Sequence, residues 1–392
     1  MDRAIPEIPP ALAEAIDTAF GRRDFVGALS VLAKAEAQAP NDVGLKMQRA
    51  VALRMTGDPA GSLEALSAAL ALDPYNLTAL LAKGAILETL VGETAAAETY
   101  RDALKIVPSD PPPRLAAPLA RARAVVAAES AAVEAYLRAR LDLGSAGGAQ
   151  AQARVAEGLR IFSGTARPVV QQPLLLHYPQ LPAICFPDRS LFPWLPDLEA
   201  NTEVICTELQ AALAARTGFA PYIEVASDAP VNQWAELNRS DRWTAYFLWR
   251  DGERQDAACE ACPRTAALMD HLPLARQPGF APTVVFSALA PHTHIPPHTG
   301  STNTRLLVHL PLILPGPARF RVGNETRDWR MGEAWVFDDT IEHEAWNDAD
   351  ALRVILIIDV WNPYLEPGER DLVSAMLAAR AQFLNDRIGM KA

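Results

Sequence analysis

The sequence predicts an α+β chain of two domains, a solenoid of helix pairs followed by an antiparallel β-sandwich or barrel. Three observations carry this reading. The first 140 residues are rich in Ala, Leu and Glu and contain no Trp, whereas all eight Trp lie between Trp194 and Trp361. Prolines recur at a fixed interval in the first part. Short apolar and β-branched runs broken by Pro and Gly fill the second. At ~150 residues per domain, a chain of 392 residues has the length to give each part its own core.

Pro40, Pro74 and Pro108 recur at 34 residues, each followed within two residues by Asn or Asp, as APND, DPYN and VPSD. Small residues keep the same register: Ala35, Ala69 and Ala103 lie five before their prolines, and Ala28, Ser62 and Ala96 lie twelve before. Leu32, Leu66 and Tyr100 lie eight before, so each set occupies one face of a second helix, and Gly84 permits close approach in the first helix of the third repeat. Each Pro stops its helix and begins the next turn. This is the period of tetratricopeptide repeats. Three repeats are near the minimum for a stable stack, so the helical pattern at about 114–141 is expected to cap it.

Pro111-Pro112-Pro113 opens a Pro/Ala-rich connection, and Gly144-Ser145-Ala146-Gly147-Gly148 breaks the chain before another helical stretch at 149–163. The expected division is a repeat domain at 1–142, a linker with a helix at 143–166 and a β-rich domain at 167–392. A solenoid offers a concave surface for an extended peptide or partner protein, and nothing in the repeats looks catalytic.

Lys plus Arg is 36 against Asp plus Glu at 47, a net charge of −11. That sign argues against nucleic acid as the main partner. No run reaches the ~18 apolar residues of a membrane span, and the N-terminus does not read as a secretory signal, so a cytoplasmic protein is expected. Four cysteines agree with a reducing compartment. Cys259 and Cys262 form a CxxC, but Cys185 and Cys206 do not supply a second pair at similar spacing, so a buried pair is expected rather than a zinc site.

Seven histidines occur, and His292, His294, His298 and His309 fall within eighteen residues, with His343 further on. Around them the sequence reads as strands at 283–287, 305–314, 318–322, 334–337 and 352–360, separated by PGP, GN and NDAD turns. The mouth of such a sandwich or barrel is a common ligand site. Neutral imidazole suits Fe, Zn, Cu and Ni, and two strand-borne histidines about 45 residues apart can meet across facing sheets. In iron(II) oxygenases the usual third ligand is a carboxylate two residues after the first His. Here that position, in His298-Thr299-Gly300, is Gly.

The segment 291–363, with PHTG, NET, FDDTIEHEAWN and DVWNP in order, resembles the aspartyl/asparaginyl β-hydroxylases, iron(II)- and 2-oxoglutarate-dependent dioxygenases. The likeness extends more weakly upstream through WTAYFLWRDG and CEACPRT, to about 191. It implies a double-stranded β-helix, jelly-roll or cupin-like, and tetratricopeptide repeats in front are known in the family. It also implies a metal held by two histidines alone, with Gly at the acidic position. His298 and His343 would then hold Fe(II). Arg353, ten residues after the second His, would pair with the distal carboxylate of 2-oxoglutarate. Ser287 and His309, eleven residues before and after the first His, would help to hold that cosubstrate. With O2, such a site would hydroxylate the β-carbon of Asp or Asn residues in a peptide or protein. Some animal members carry Arg where this chain has Leu307, with only Arg305 nearby, so the substrate is open to differ.

Arg353 sits in an otherwise apolar run, RVILIIDVW, where a lone cation would be costly. Its partner is expected to be the cosubstrate rather than Asp338 or Asp339. Those two with Glu342 and Glu344 flank the second His and read as groups that orient ligands or stabilise turns. His292 and His294 read as hydrogen-bonding residues of a Pro-braced turn. Trp335, Trp346 and Trp361 read as core residues before cleft residues, and 369–387 reads as a closing helix. The alternatives are the same chemistry on a lipid acyl chain or free amino acid, and a repeat scaffold that no longer turns over.

Overall fold

Asp and Asn side chains start the helices of the first unit. Asp24, Asp42, Asp58 and Asn76 each accept a hydrogen bond from the backbone N–H three residues on, at 2.8 to 3.1 Å. They cap α2 (Phe25–Gln38), α3 (Val43–Met55), α4 (Pro59–Leu72) and α5 (Leu77–Leu90). With α1 (Pro10–Gly21) and α6 (Glu93–Lys105) these form three helix pairs, the expected repeats. Asp42 and Asn76, which follow Pro40 and Pro74, therefore begin the next repeat. Asp110 does not: after Pro108 the chain runs through a 3-10 turn at Pro113–Leu115 into α7 (Ala116–Arg138), the capping helix.

Ala28, Ala35, Ala69, Ala96 and Ala103 are fully buried. Ser62, the exception to Ala in its register, donates its hydroxyl to the Ala50 carbonyl at 2.7 Å. A Cβ at Gly84 would lie 2.4 Å from the Tyr100 ring, so repeat three exchanges a side chain on its first helix for a larger one on its second. The stretch 143–166 holds α8 (Ala149–Ser163) and falls within the first unit. This computed structural model describes residues 8–215 and 218–389, in two units that meet in sequence at Arg167 and Pro168.

The second unit is three layers deep. The β-rich pattern expected from about 167 begins in force only at Trp243. Before it, Pro168, Pro173, Pro179, Pro182, Pro187, Pro193 and Pro196 lack the N–H that a ladder needs, and this stretch is mostly irregular, with α9 (Leu195–Ala200) and α10 (Thr202–Ala215). Then follow β1 (Ala220–Pro221), β2 (Trp243–Arg250), β3 (Glu253–Arg254), α11 (Asp256–Ala261), α12 (Pro263–Met269), β4 (Val284–Leu289), β5 (Thr293–His298) and β6 (Arg305–Ile313). The chain continues through β7 (Ala318–Val322), β8 (Glu325–Asp328), β9 (Trp335–Phe337), β10 (His343–Asn347), β11 (Arg353–Trp361) and α13 (Pro367–Gly389). The five expected strands are present within two residues of their expected ends.

All pairings between these strands are antiparallel. The larger sheet runs β1-β2-β4-β11-β6-β9, with β3 on β2, and the smaller β5-β10-β7-β8. Side chains alternate between two cores. Phe286, Leu306, Val308, Leu310, Leu356 and Ile358 pack with Ile205, Leu209 and Met269 of the helices. Val285, Leu289, Ile355 and Ile357 pack with Ile295, Phe320, Val322 and Ala345 of the smaller sheet. Cys259 and Cys262 are buried free thiols on the helical side. Among the described residues no helix is long and apolar enough to cross a membrane.

Strand β5 went unread because Pro296 and Pro297 argue against one; it is an edge strand of its sheet, the place where proline is tolerated. His294 therefore stands on a strand, not in the expected turn. Its ring stacks on Trp346 and its Nε2 lies 2.8 Å from Glu344. Trp346 faces outward, so it lines neither core nor cleft.

Candidate active site

The alternation that builds the inner core also builds the site. Ser287, Leu307, His309 and Arg353 are in phase with Val285, Ile355 and Ile357, so the larger sheet turns all four toward the smaller one. From the opposite side β5 and β10 pair His298 directly with His343, and their ring centroids lie 4.0 Å apart. All five expected site residues, Ser287, His298, His309, His343 and Arg353, line one cavity of about 210 Å³.

Each paired histidine spends its Nδ1 on the backbone two residues earlier: His298 on the Pro296 carbonyl at 2.8 Å, His343 on that of Ile341 at 3.0 Å. Since only an N–H can donate to a carbonyl, both Nδ1 atoms carry hydrogen and both Nε2 lone pairs stay free, the state a metal ligand needs. Burial pushes the pKa of His298 below the usual range and that of His343 well below it, so both are neutral at pH 7. The chemistry of this donor pair fits a divalent transition metal. Among the described residues no group of three or more His, Cys, Asp or Glu comes together to hold one.

Arg353 is 1% exposed, and none of its three guanidinium nitrogens has a hydrogen-bond partner. It forms an ion pair with neither Asp338 nor Asp339 among the described residues, and the Trp329 ring lies 4.4 Å from its Cζ. Burial brings its pKa down to about 9, which leaves it charged at pH 7. A planar fork of donors without an acceptor matches an incoming carboxylate. Ser287 accepts from the Trp243 indole at 3.0 Å. His309 is buried with no partner on Nδ1, and burial, then the Arg353 charge, holds it neutral.

Gly300 has a steric reason. A Cβ there would lie 1.8 Å from Oδ2 of Asp339, so that carboxylate fills the space through which a side chain at 300 would run. The backbone agrees, with the Gly300 N–H donating to the Asp339 carbonyl at 2.7 Å. Asp338 serves the turn instead, accepting from Thr340 and Gln171. Burial pushes the pKa of Asp339 up to about 7, with Arg305 opposing and Asp338 and Asp359 adding to the rise. Sequence reasoning missed the cavity roles of Asp359, Tyr222, Trp234 and Trp243. Tyr222 stacks on Trp243 with centroids 4.1 Å apart, and Trp234 meets His298 edge-on at 5.0 Å. The strand pattern WTAYFLW signals Trp243; Tyr222 lies in irregular chain and Trp234 in a short 3-10 turn, Asn232–Trp234, neither of which carries a periodic signal.

Residues 199–363 match the family model for aspartyl/asparaginyl β-hydroxylase. The mouse aspartyl/asparaginyl β-hydroxylase is 38% identical over 148 residues, which is 36% of this chain and 19% of that protein. The ornithine lipid ester-linked acyl 2-hydroxylase of Rhizobium tropici is 33% identical over 184 residues, 46% of this chain and 62% of that protein. The matches thus span about a fifth of the first relative and under two thirds of the second. The first TPR domain of human RPAP3, a solved structure, aligns with 31% of this chain and 95% of its own at a TM-score of 0.28 and 20% identity.

Proposed function

Since residues 199–363 match the family model for aspartyl/asparaginyl β-hydroxylase, we propose that the second unit is an Fe(II)- and 2-oxoglutarate-dependent dioxygenase. Its substrate is a peptide or protein, hydroxylated at the β-carbon of an Asp or Asn residue. The observation that supports this most is Arg353, a buried cation with no acceptor, in the same cavity as two histidines whose Nε2 atoms are free. A charge left so at a cost of several kcal/mol reads as the seat of an anion.

His298 and His343 would hold the iron through Nε2, their rings oriented by the Pro296 and Ile341 carbonyls. When bound, iron and cosubstrate supply oxidative decarboxylation of 2-oxoglutarate coupled to hydroxylation, chemistry no side chain can perform. Arg353 would take the distal carboxylate in a two-point grip, with Ser287 and His309 beside it. The apolar walls, Ile295, Phe320, Ala345, Ile355 and Ile357, keep water from the reacting groups. The repeats would recruit the protein that bears the target residue.

The test is succinate formation from 2-oxoglutarate by anaerobically iron-loaded protein after admission of air, with and without a pool of Asp- and Asn-containing peptides. Stimulation by peptide, lost in His298→Ala, is the expected result. No succinate from demonstrably iron-loaded protein would leave the scaffold alternative. A second reading keeps an acyl chain as substrate, favoured by the apolar Leu307 in the cavity wall and by the name of the Rhizobium relative.

A further inference from the structure

The family match begins at residue 199, yet both turns that flank the histidine pair are held from a segment upstream of it. Residues 171–178 lie in the irregular chain before α9. Leu174 donates its N–H to the Gly300 carbonyl at 2.9 Å, and Leu175 and Leu176 donate theirs to that of Ser301 at 2.9 and 3.1 Å, just after His298. Gln172 donates its N–H to the Thr340 carbonyl at 2.7 Å, and Gln171 forms a β-bridge with Ile341, whose carbonyl orients the His343 ring.

One side chain in this segment joins the two turns. Nε2 of Gln171 donates to Oδ2 of Asp338 at 2.6 Å, before His343, and its Oε1 accepts from Nδ2 of Asn303 at 3.0 Å, after His298. Tyr178 settles which way the amides point. Its N–H donates to Oδ1 of Asn303 at 2.7 Å and its carbonyl accepts from Nδ2 at 2.9 Å, so Asn303 offers Gln171 a donor and Gln171 turns its oxygen there. Asn303 and Asp338 are 0 and 1% exposed, so bulk water cannot stand in for either bond.

The clamp falls where the sheet gives out. His298 is the last residue of β5 and His343 the first of β10, and the register of their pairing shifts between His343 and Ala345. Past His298 the two turns are joined by the Gly300–Asp339 backbone bond and through Gln171. Two ligands of one metal ion need their distances set to within roughly 0.2 Å. We infer that Gln171 is a positioning residue of the iron site, whose amide ties the turn after His298 to the turn before His343 and so holds the two Nε2 atoms in place. This rests on the oxygenase reading and extends its machinery upstream of the matched residues. Only an amide serves both partners. A carboxylate at 171 would set oxygen against oxygen at Asp338, and an apolar side chain would leave Oδ2 of Asp338 and one Nδ2 hydrogen of Asn303 unpaired.

The test titrates the full chain and its Gln171→Met and Gln171→Glu variants with Mn(II) in the presence of 2-oxoglutarate, and records the Mn(II) EPR spectrum at saturation and the melting temperature without metal. Both variants should bind Mn(II) at least ~10-fold more weakly and give an altered EPR spectrum, while metal-free melting falls by no more than about 10 °C. Gln172→Ala, which trims an exposed side chain of the same segment, should match the wild type throughout. If Gln171→Met does not fold, Gln171→Glu decides. Unchanged Mn(II) affinity in the variants would overturn the inference, as would weakened binding that comes only with a fall of tens of degrees in metal-free melting, the mark of a residue that supports the whole fold. A wild type that binds no Mn(II) would sink the oxygenase reading, and this inference with it.

Discussion

The two units differ in how many of the side-chain polar atoms they bury are left without a hydrogen-bond partner: among the described residues the first leaves one, Oε1 of Glu36, and the second nine. In the repeats, Ser62 sits 1% exposed in an Ala register and immediately finds the Ala50 carbonyl, and Tyr100 reaches Glu88 from its place against Gly84. In the second unit, unpartnered atoms on Arg305, His309, Trp329, Asp339 and Arg353 gather around one cavity. A packing domain gains from closing every hydrogen bond, since an orphaned buried group costs ~1–3 kcal/mol. A binding domain keeps such groups open for the molecule that will close them. The difference therefore marks where stability was surrendered for recognition.

The sharpest way to break that contrast is at Arg353. Arg353→Met should abolish 2-oxoglutarate-dependent turnover, by ~100-fold or more, and remove the thermal shift given by 2-oxoglutarate. The unliganded variant should nonetheless melt no lower than the wild type, because an uncompensated buried cation has been exchanged for apolar volume. A variant that loses turnover and also unfolds tens of degrees lower would show that Arg353 is structural. In the repeats the outcome reverses: Leu66→Ala, at a fully buried core position, should cost ~2–5 kcal/mol in chemical denaturation. Cosubstrate binding should stay unchanged.

Asp339 offers a pH-dependent version of the same comparison. Its folded pKa of about 7 lies above the ordinary carboxylate value of 3.8, so the native state binds more protons than the unfolded chain between the two. Its contribution therefore lowers stability as pH rises through that window, and the penalty is complete above about 7. Asp339→Asn should be more stable than wild type by roughly 1–3 kcal/mol at high pH, with the gap closing toward pH 4. The histidines push the other way: with folded pKa values below the ordinary 6.5, His298, His309 and His343 lose stability for both proteins as pH falls below it. That loss cancels in the difference between variant and wild type. A gap independent of pH would show that Asp339 does not ionise as assigned.

How much of this could be read from the chain depended on whether a local pattern existed. The repeats repeat, so Pro40, Pro74 and Pro108 fix their register, and α8 falls on the stretch read as helical. Strands β6, β7 and β11 announce themselves through β-branched runs. Strand β5 did not, because an edge strand tolerates the prolines that argue against a strand. Of the residues that share the cavity, Ser287, His298, His309, His343 and Arg353 are the ones the family resemblance implies, and period-two alternation puts Ser287, His309 and Arg353 on one face of the larger sheet. Asp359 is in phase with them too but passed for part of an apolar run. Tyr222 and Trp234 come from irregular chain and a single 3-10 turn, where only tertiary contacts decide which way a ring points. Gly300 was legible as an oddity, and its cause, the carboxylate of Asp339, required coordinates.

The smallest effect worth measuring concerns Ser62, because it tests whether the repeats close hydrogen bonds for stability or merely tolerate a hydroxyl. Ser62→Ala restores the residue found at the equivalent positions Ala28 and Ala96, both fully buried. The hydroxyl is lost, and the Ala50 carbonyl that accepted from it at 2.7 Å loses that donor. A net hydrogen bond of this kind contributes ~1 kcal/mol, partly offset by the better helix propensity of Ala, ~0.5 kcal/mol. Denaturant unfolding should therefore show a loss of roughly 0.5 kcal/mol at an unchanged m value. A gain in stability would mean that Ser62, like the cavity residues, holds its polar group for something other than the fold.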